Sequence, residues 1–260
     1  MSRAPTHADI LKAARLLESA SHTVVLTGAG SSTPSGVPDF RSAGDGLWRR
    51  HNPMEVASLT AFRRSPEKFF EWLRPLAKHI LEATPNPAHI SLARLEQKGY
   101  IQTTVTQNID GLHQRAGSRN VLHVHGTIET LSCVNCYQKF PSDDHIGPYL
   151  ENGELPRCPD CGCILKPDAV LFEEQLPAEI WLQAKKASHT CDLMIIAGSS
   201  LVVMPVAGLP MEALQSGASL IVINKTPTYI DSQATVVLNG DVADIIPAIE
   251  SEILDESTPA

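Results

Sequence analysis

Thr23-Val-Val-Leu-Thr27-Gly28-Ala29-Gly30 joins a five-residue apolar run directly to a glycine-rich turn. A run this short, with successive rather than alternate apolar residues, suits a strand covered on both faces. The glycines let backbone N–H groups approach a pyrophosphate, as in the first turn of dinucleotide-binding sheets. The fingerprint is incomplete: Thr33 stands where its third glycine would fall, and Pro34 with Ser35-Gly36-Val37-Pro38 predicts a loop in place of an immediate long helix. A bare tight turn accounts for these few residues equally well.

Further along the chain the same grammar repeats. Ile10, Ala14 and Leu17 form one stripe of a helix over 7–20. Apolar runs recur at 101–106, 121–126, 193–197, 220–223 and 235–238, mostly separated by helical patterns such as 177–189 and 206–216. This alternation predicts an α/β fold, a Rossmann-like parallel sheet with helices on both faces, whose ligands bind beyond the carboxyl ends of the strands. Two stretches interrupt it: 44–84, helical and rich in Trp, Phe and Arg, and 132–165, which holds five of the six cysteines. They predict a small lobe made of a helical insertion and a four-cysteine zinc ribbon. The sheet domain is then discontinuous, over 1–43, 85–131 and 166–250, and 251–260 is an acidic, frayed tail.

The 260 residues are 43% hydrophobic, enough for a real core. Twenty-one basic against 29 acidic residues give a net charge of −8 without long like-charge blocks. That excludes a nucleic-acid footprint and favours a basic partner such as a lysine-bearing peptide. With no apolar run approaching about 18 residues and no signal pattern in the first 20, the expectation is a cytoplasmic protein with no membrane partner and with reduced thiols.

Cys133-x-x-Cys136 and Cys158-x-x-Cys161 can present four thiolates tetrahedrally to zinc. Four thiolates close the coordination sphere, so the metal is structural. Cys163 competes with Cys161 as the fourth ligand, and Cys191 reads as a core thiol. Thr106-Gln107-Asn108-Ile109-Asp110-Gly111 follows a predicted strand, and His125 closes another. Asn and Asp also turn chains and cap helices, and His123, two positions earlier on the same face, rivals His125. The glycine turn, the Asn108–Asp110 turn and His125 nonetheless all fall at strand ends of one sheet.

Taken together, Gly28-Ala-Gly30-x-Ser32-x-x-Ser35-Gly-Val-Pro-Asp39-Phe40-Arg41-Ser42, Thr106-Gln-Asn-Ile-Asp110-Gly-Leu-His113, His125-Gly126-Thr127 and the two cysteine pairs resemble the sirtuins, NAD-dependent protein lysine deacylases. The resemblance runs from about residue 10 to 250. It implies NAD as cofactor and acyl-lysine peptides or proteins as substrates. It puts Gly28, Ala29, Gly30 and Thr33 at the phosphates and ribose, and Asp39, Phe40 and Arg41 on a loop over the nicotinamide end. Gln107, Asn108, Ile109 and Asp110 would form the nicotinamide pocket. Gly198, Ser199, Ser200, Asn224, Asp241 and Val242 would take the ribose and adenine. His125 would be the general base that deprotonates a ribose hydroxyl, with Asn108 beside it as a second catalytic residue. Substrate peptide would add as a strand between Val170-Leu-Phe172 and Leu201-Val202-Val203, and Leu73 and Leu76 would favour an uncharged acyl group. Departures from the family pattern are Ser31, Cys163, Ser199 and Glu173, the last in place of a glycine. The rival activities are NAD-dependent mono-ADP-ribosyl transfer and plain nucleotide binding by a zinc-ribbon module.

Overall fold

The computed structural model describes residues 3–39 and 51–255. The chain begins with α1 (His7–Ser19), opened by a Thr6 capping box, and β1 (Thr23–Thr27). A helical insertion follows: α2 (Pro53–Val56), α3 (Leu59–Arg64) and α4 (Pro66–Glu82). The chain returns through α5 (Pro87–Gln97), β2 (Thr103–Thr106), α6 (Leu112–Arg115) and β3 (Val121–His123). A second insertion holds β4 (Thr130–Cys133), β5 (Lys139–Pro141), α7 (Asp143–Asn152) and β6 (Leu165–Pro167). Finally come α8 (Ala178–Thr190), β7 (Leu193–Ala197), α9 (Leu209–Gln215), β8 (Ser219–Asn224), β9 (Val236–Asn239) and α10 (Val242–Asp255).

Six strands form one parallel sheet in the order β3-β2-β1-β7-β8-β9, and β5-β4-β6 form a separate antiparallel sheet. The large sheet grows outward in both directions from the β1–β7 pair, so the order reverses there and a crevice opens beyond Thr27 and Ala197. Val24, Val25 and Leu26 are fully buried because both faces are covered. Val25 and Ile195 pack against α1, α5 and α10, while Leu26 and Ile196 pack against α8 and α9. Each such side chain contributes roughly 1.5–3 kcal/mol by leaving water.

Two boundaries differ from the sequence reading. The chain is not frayed from residue 251, because α10 runs to Asp255. Ile245, Ile246, Ile249 and Ile253 form an apolar stripe buried in the same core as Leu17 and Leu92. Glu250, on that helix, is buried and accepts the Ser91 hydroxyl at 2.5 Å. The 121–126 run also stops being strand at His123, leaving His125 in the turn beyond it. Gly126 makes that turn at φ +72°, where a Cβ would lie 2.0 Å from the Asp168 carbonyl oxygen.

A third apolar cluster joins the insertions: Phe62, Phe69, Phe70, Leu73 and Leu76 meet Tyr149 and Leu171. The zinc-ribbon end has much less core, only Leu131, Cys133, Cys158 and Leu165 being buried together.

Candidate active site

Three glycines build the crevice floor. Side chains at Gly28 and Gly30 would come within 3.0 and 2.8 Å of the Gly198 oxygen, and one at Gly198 (φ +63°) would reach 2.3 Å from the Ser31 nitrogen. The turns after β1 and β7 therefore touch backbone to backbone. Gly30 N donates to Gly198 O at 2.8 Å. Asn86, the N-cap of α5, fastens the β1 turn from outside by donating to Ser31 O (2.8 Å) and Ser35 Oγ (3.0 Å). Thr33 folds onto the turn, its hydroxyl donating to Gly30 O at 3.1 Å.

The loop after β2 crosses to meet this turn. Asn108 Nδ2 lies 3.1 Å from Gly28 O, 3.1 Å from Ser31 Oγ and 2.9 Å from Ser32 Oγ. Ser32 in turn donates to Asp110 Oδ2 at 2.7 Å, and Asp110 Oδ1 accepts Leu112 N at 3.0 Å. Both Asn108 and Asp110 are buried. Gln107 donates to Ser199 Oγ at 2.9 Å, tying β2 to the β7 turn. Beneath lies a buried polar stack. Thr27 donates to Thr106 Oγ1 (2.8 Å) and so receives the Nε2 proton of His113 (3.0 Å). The His89 ring sits edge-on to His113, with centroids 4.8 Å apart. Nδ1 of His113 and Nε2 of His89 have no partner among the described residues. Burial pushes the His89 imidazole down to about 4, opposed by the Asp110 charge. Burial likewise holds His113 well below the ordinary histidine value, helped by the charges of His89 and His123.

His125 Nδ1 lies 3.2 Å from the Gln107 carbonyl oxygen. That oxygen only accepts, so Nδ1 carries the proton and Nε2 the lone pair. His123 is placed differently: it bonds Gln114 and approaches Asn108 O at 3.4 Å. A cavity of about 750 Å³ opens over this arrangement. Of the residues singled out in the sequence, Ala29, Leu73, Leu76, Gln107, Asn108, Ile109, Asp110, His125, Val170, Phe172 and Glu173 line it, and His123 does not.

The remaining candidates lie elsewhere. Gly28, Gly30, Thr33, Gly198 and Ser199 belong to the crevice beside the cavity. Asn224 and Asp241 stand farther along the sheet edge, where Gly240 N donates to Asn224 O at 3.3 Å. Asp241 pairs with Lys225 at 2.7 Å and caps α10 through Ala243 N at 2.9 Å. Burial alone would raise its carboxyl, but these partners hold it below the ordinary value. Val242 packs in the core. Phe40 and Arg41 lie outside the described residues.

Val170–Phe172 and Leu201–Val203 are not strands. Val170 N donates to His125 O (2.8 Å), Leu171 N to Glu174 Oε2 (2.8 Å) and Phe172 N to Ala57 O (3.0 Å). These three amides are thus used inside the chain. Leu201 is buried at φ +51°, whereas Val202 is 62% exposed at the surface. Sequence reasoning quoted Ser32 and His113 within motifs without giving them a role, and it passed over Asn86, His89 and Lys225. The Asn86-Pro87 pair was a readable helix start; the others carry no local signal.

The cysteines form one group. Sγ atoms of Cys133, Cys136, Cys158 and Cys161 all lie within 4.8 Å of one another. The Cys133–Cys161 and Cys136–Cys158 pairs are 3.4 and 3.6 Å apart. Tetrahedral zinc with Zn–S near 2.3 Å requires about 3.8 Å between sulfurs, so the donor set fits. Cys161 completes this group of four thiols; Cys163 stands outside it, its carbonyl accepting Cys158 N (2.8 Å).

The Sir2 family profile matches residues 28–205. The chain belongs to the Sir2 family. It is 43% identical over 246 residues to the NAD-dependent protein deacylase 2 of Archaeoglobus fulgidus, covering 94% of this chain and 96% of that one. A Sir2 structure with p53 peptide and NAD+ superposes with a TM-score of 0.85 at 40% identity, covering 93% of this chain and 97% of that one. Another, with deacetylated p53 peptide and 3'-O-acetyl ADP ribose, gives 0.86 at 39% identity, covering 95% and 97%. The glycine crevice, the Asn108–Asp110 loop, His125 and the thiol cluster of this Sir2 chain all fall within or beside the matched segment.

Proposed function

We propose that the chain removes acyl groups from protein lysines at the expense of NAD, transferring the acyl group to ADP-ribose and releasing nicotinamide. The observation that carries this reading is the placing of His125, oriented by Gln107 O, on the wall of the cavity that Asn108 and Asp110 also line. Bound NAD supplies an activated glycosidic bond whose cleavage frees nicotinamide. His125 Nε2 takes a proton from a ribose hydroxyl, a positioned-base contribution of about 10²- to 10⁴-fold. Asn108 and Asp110 shape the nicotinamide pocket, held by their shared Ser32. The Gly28–Gly30 turn and Thr33 face the phosphates, and Gly198, Ser199, Ser200, Asn224 and Asp241 the adenosine half.

Substrate peptide lies across the cavity mouth between 170–172 and 201–203, with side chains supplying more of the contact than the occupied amides of 170–172. Among the described residues no lysine or arginine lines the cavity. Leu73 and Leu76 do, while Arg74 turns away and donates to Leu150 O at 3.0 and 2.6 Å. This supports acetyl or another uncharged acyl group; faster turnover of a succinyl peptide would refute it. No helix among the described residues is long and apolar enough to cross a membrane. All six cysteines are unpaired, which supports a reducing, cytoplasmic setting.

The test is incubation with NAD and an acetyl-lysine peptide, read by mass spectrometry. Nicotinamide and O-acetyl-ADP-ribose are the expected products. ADP-ribose attached to protein, or no NAD-dependent product, overturns the reading.

A further inference from the structure

Glu173 stands at φ +73°, a left-handed backbone that glycine adopts most easily, yet its side chain has a specific partner. Its Oε2 accepts the Thr60 amide at 2.9 Å. Thr60 is the second residue of α3, so this amide has no acceptor within its own helix. The neighbouring first-turn amides are also satisfied: Ser58 Oγ takes Ala61 N at 3.0 Å, and Phe172 O takes Leu59 N at 2.9 Å. Two of these three amides are therefore closed by residues 172–173, across more than a hundred positions of sequence. In the other direction Phe172 N donates to Ala57 O at 3.0 Å, making a parallel bridge between Ser58 and Phe172.

The same segment is attached to the catalytic side. Val170 N donates to His125 O at 2.8 Å, and Val170, Phe172 and Glu173 line the cavity that holds His125. A continuous tie thus runs from His125 through 170–173 to the first turn of α3 in the helical insertion. A glutamate carboxyl is ionised at neutral pH, and hydrogen bonds from Thr60 hold this one below its ordinary value. Charge-assisted bonds of this kind are the stronger class.

We infer that Glu173 is a positioning residue for substrate: its carboxylate, by capping α3, clamps the 170–173 lip of the cavity to the helical insertion and presets the acyl-peptide site. The inference rests on the reading of 170–172 as part of the peptide site. The Glu173 carboxylate is turned to Thr60 N, so its role is exerted through the 170–173 segment. Its effect belongs to peptide binding, since the lip is ordered before substrate arrives and less freedom is lost on association.

Steady-state kinetics with NAD and an acetyl-lysine peptide test this in the zinc-loaded protein, using Glu173→Ala, Glu173→Gly and Glu173→Gln. Gln keeps an oxygen acceptor for Thr60 N; Ala removes the acceptor but keeps the strained backbone; Gly removes both acceptor and strain. The expected result is about a fivefold rise in peptide KM for Ala and for Gly, in line with the loss of a helix cap. Gln restores KM to within about twofold, and kcat and the KM for NAD stay within about twofold throughout. A Gly variant with wild-type peptide KM shows that the backbone, not the carboxylate, matters, and overturns the proposal. So does a fall in kcat equal to the rise in KM, or a Gln variant as impaired as Ala. If wild type itself turns over no acyl peptide, the functional reading fails; if wild type works and the variants match it, only the clamp fails.

Discussion

His125 points Nδ1 at the main-chain oxygen of Gln107, 3.2 Å away, so the residue that begins the Gln107–Asp110 loop also sets the tautomer of the proposed base. An imidazole on a turn, two residues past its strand, would otherwise be free to choose either proton position. The contact makes Nε2 the atom that accepts a proton.

Replacing His125 with Ala is therefore expected to lower NAD-dependent deacylation by about 10²- to 10⁴-fold. Thermal stability and zinc content should match wild type, because the ring lines a cavity and is no part of a core. His123→Ala should keep most activity, since His123 does not line the cavity. Loss of activity in His123→Ala together with an active His125→Ala would reverse the assignment.

The Gly198 backbone offers a second test. A methyl group there meets the Ser31 nitrogen at 2.3 Å and sits on a left-handed residue, so Gly198→Ala must push the β1 and β7 turns apart. The expected cost is at least about 2 kcal/mol of stability, from strain and steric overlap. NAD affinity measured by calorimetry should fall as well. Unchanged stability and affinity would mean that the two turns are not packed as described.

Metal removal should unfold the ribbon end first. Only four residues are buried together there, two of them metal-site cysteines, so little apolar burial remains once zinc leaves. Structural zinc supplies on the order of 10 kcal/mol to such modules. Chelation should abolish amide protection over β4–β6 in hydrogen exchange while β1 and β7 keep theirs. Elemental analysis should find zinc in Cys163→Ser and none in Cys161→Ser; the opposite pattern would exchange the two ligands.

The His89–His113 stack predicts a pH dependence of folding. His89 is held down at about 4 against an ordinary 6.5, because its charged form would be buried. The unfolded chain therefore binds more protons between these values. Stability is complete above about 6.5 and declines as pH falls toward 4, by on the order of 3 kcal/mol for His89 alone. His113 acts in the same direction. Urea midpoints across this range should show the slope, and His89→Gln should flatten part of it. An equal slope in that variant would assign the protons elsewhere.

Much of this architecture was legible because strand burial is a local property. Val24, Val25 and Leu26 are apolar on successive positions, and so are Met194, Ile195 and Ile196; in runs this short, that suits a sheet covered on both faces. The cysteine pairs were equally plain, since thiol spacing encodes a tetrahedral site. The isoleucine stripe of α10 was also present in the sequence, but its acidic neighbours masked it.

What the sequence alone determined is the layered sheet, the thiol site and the set of polar residues at strand ends. Tertiary structure decided which of those residues meet. Ser32 becomes the hinge between Asn108 and Asp110, Cys161 rather than Cys163 joins the thiol group, and Glu173 finds Thr60. The reason is physical: apolar periodicity is set by near neighbours in the chain, whereas a polar atom's partner depends on which distant backbone closes over it, and that is fixed only when the two lobes pack.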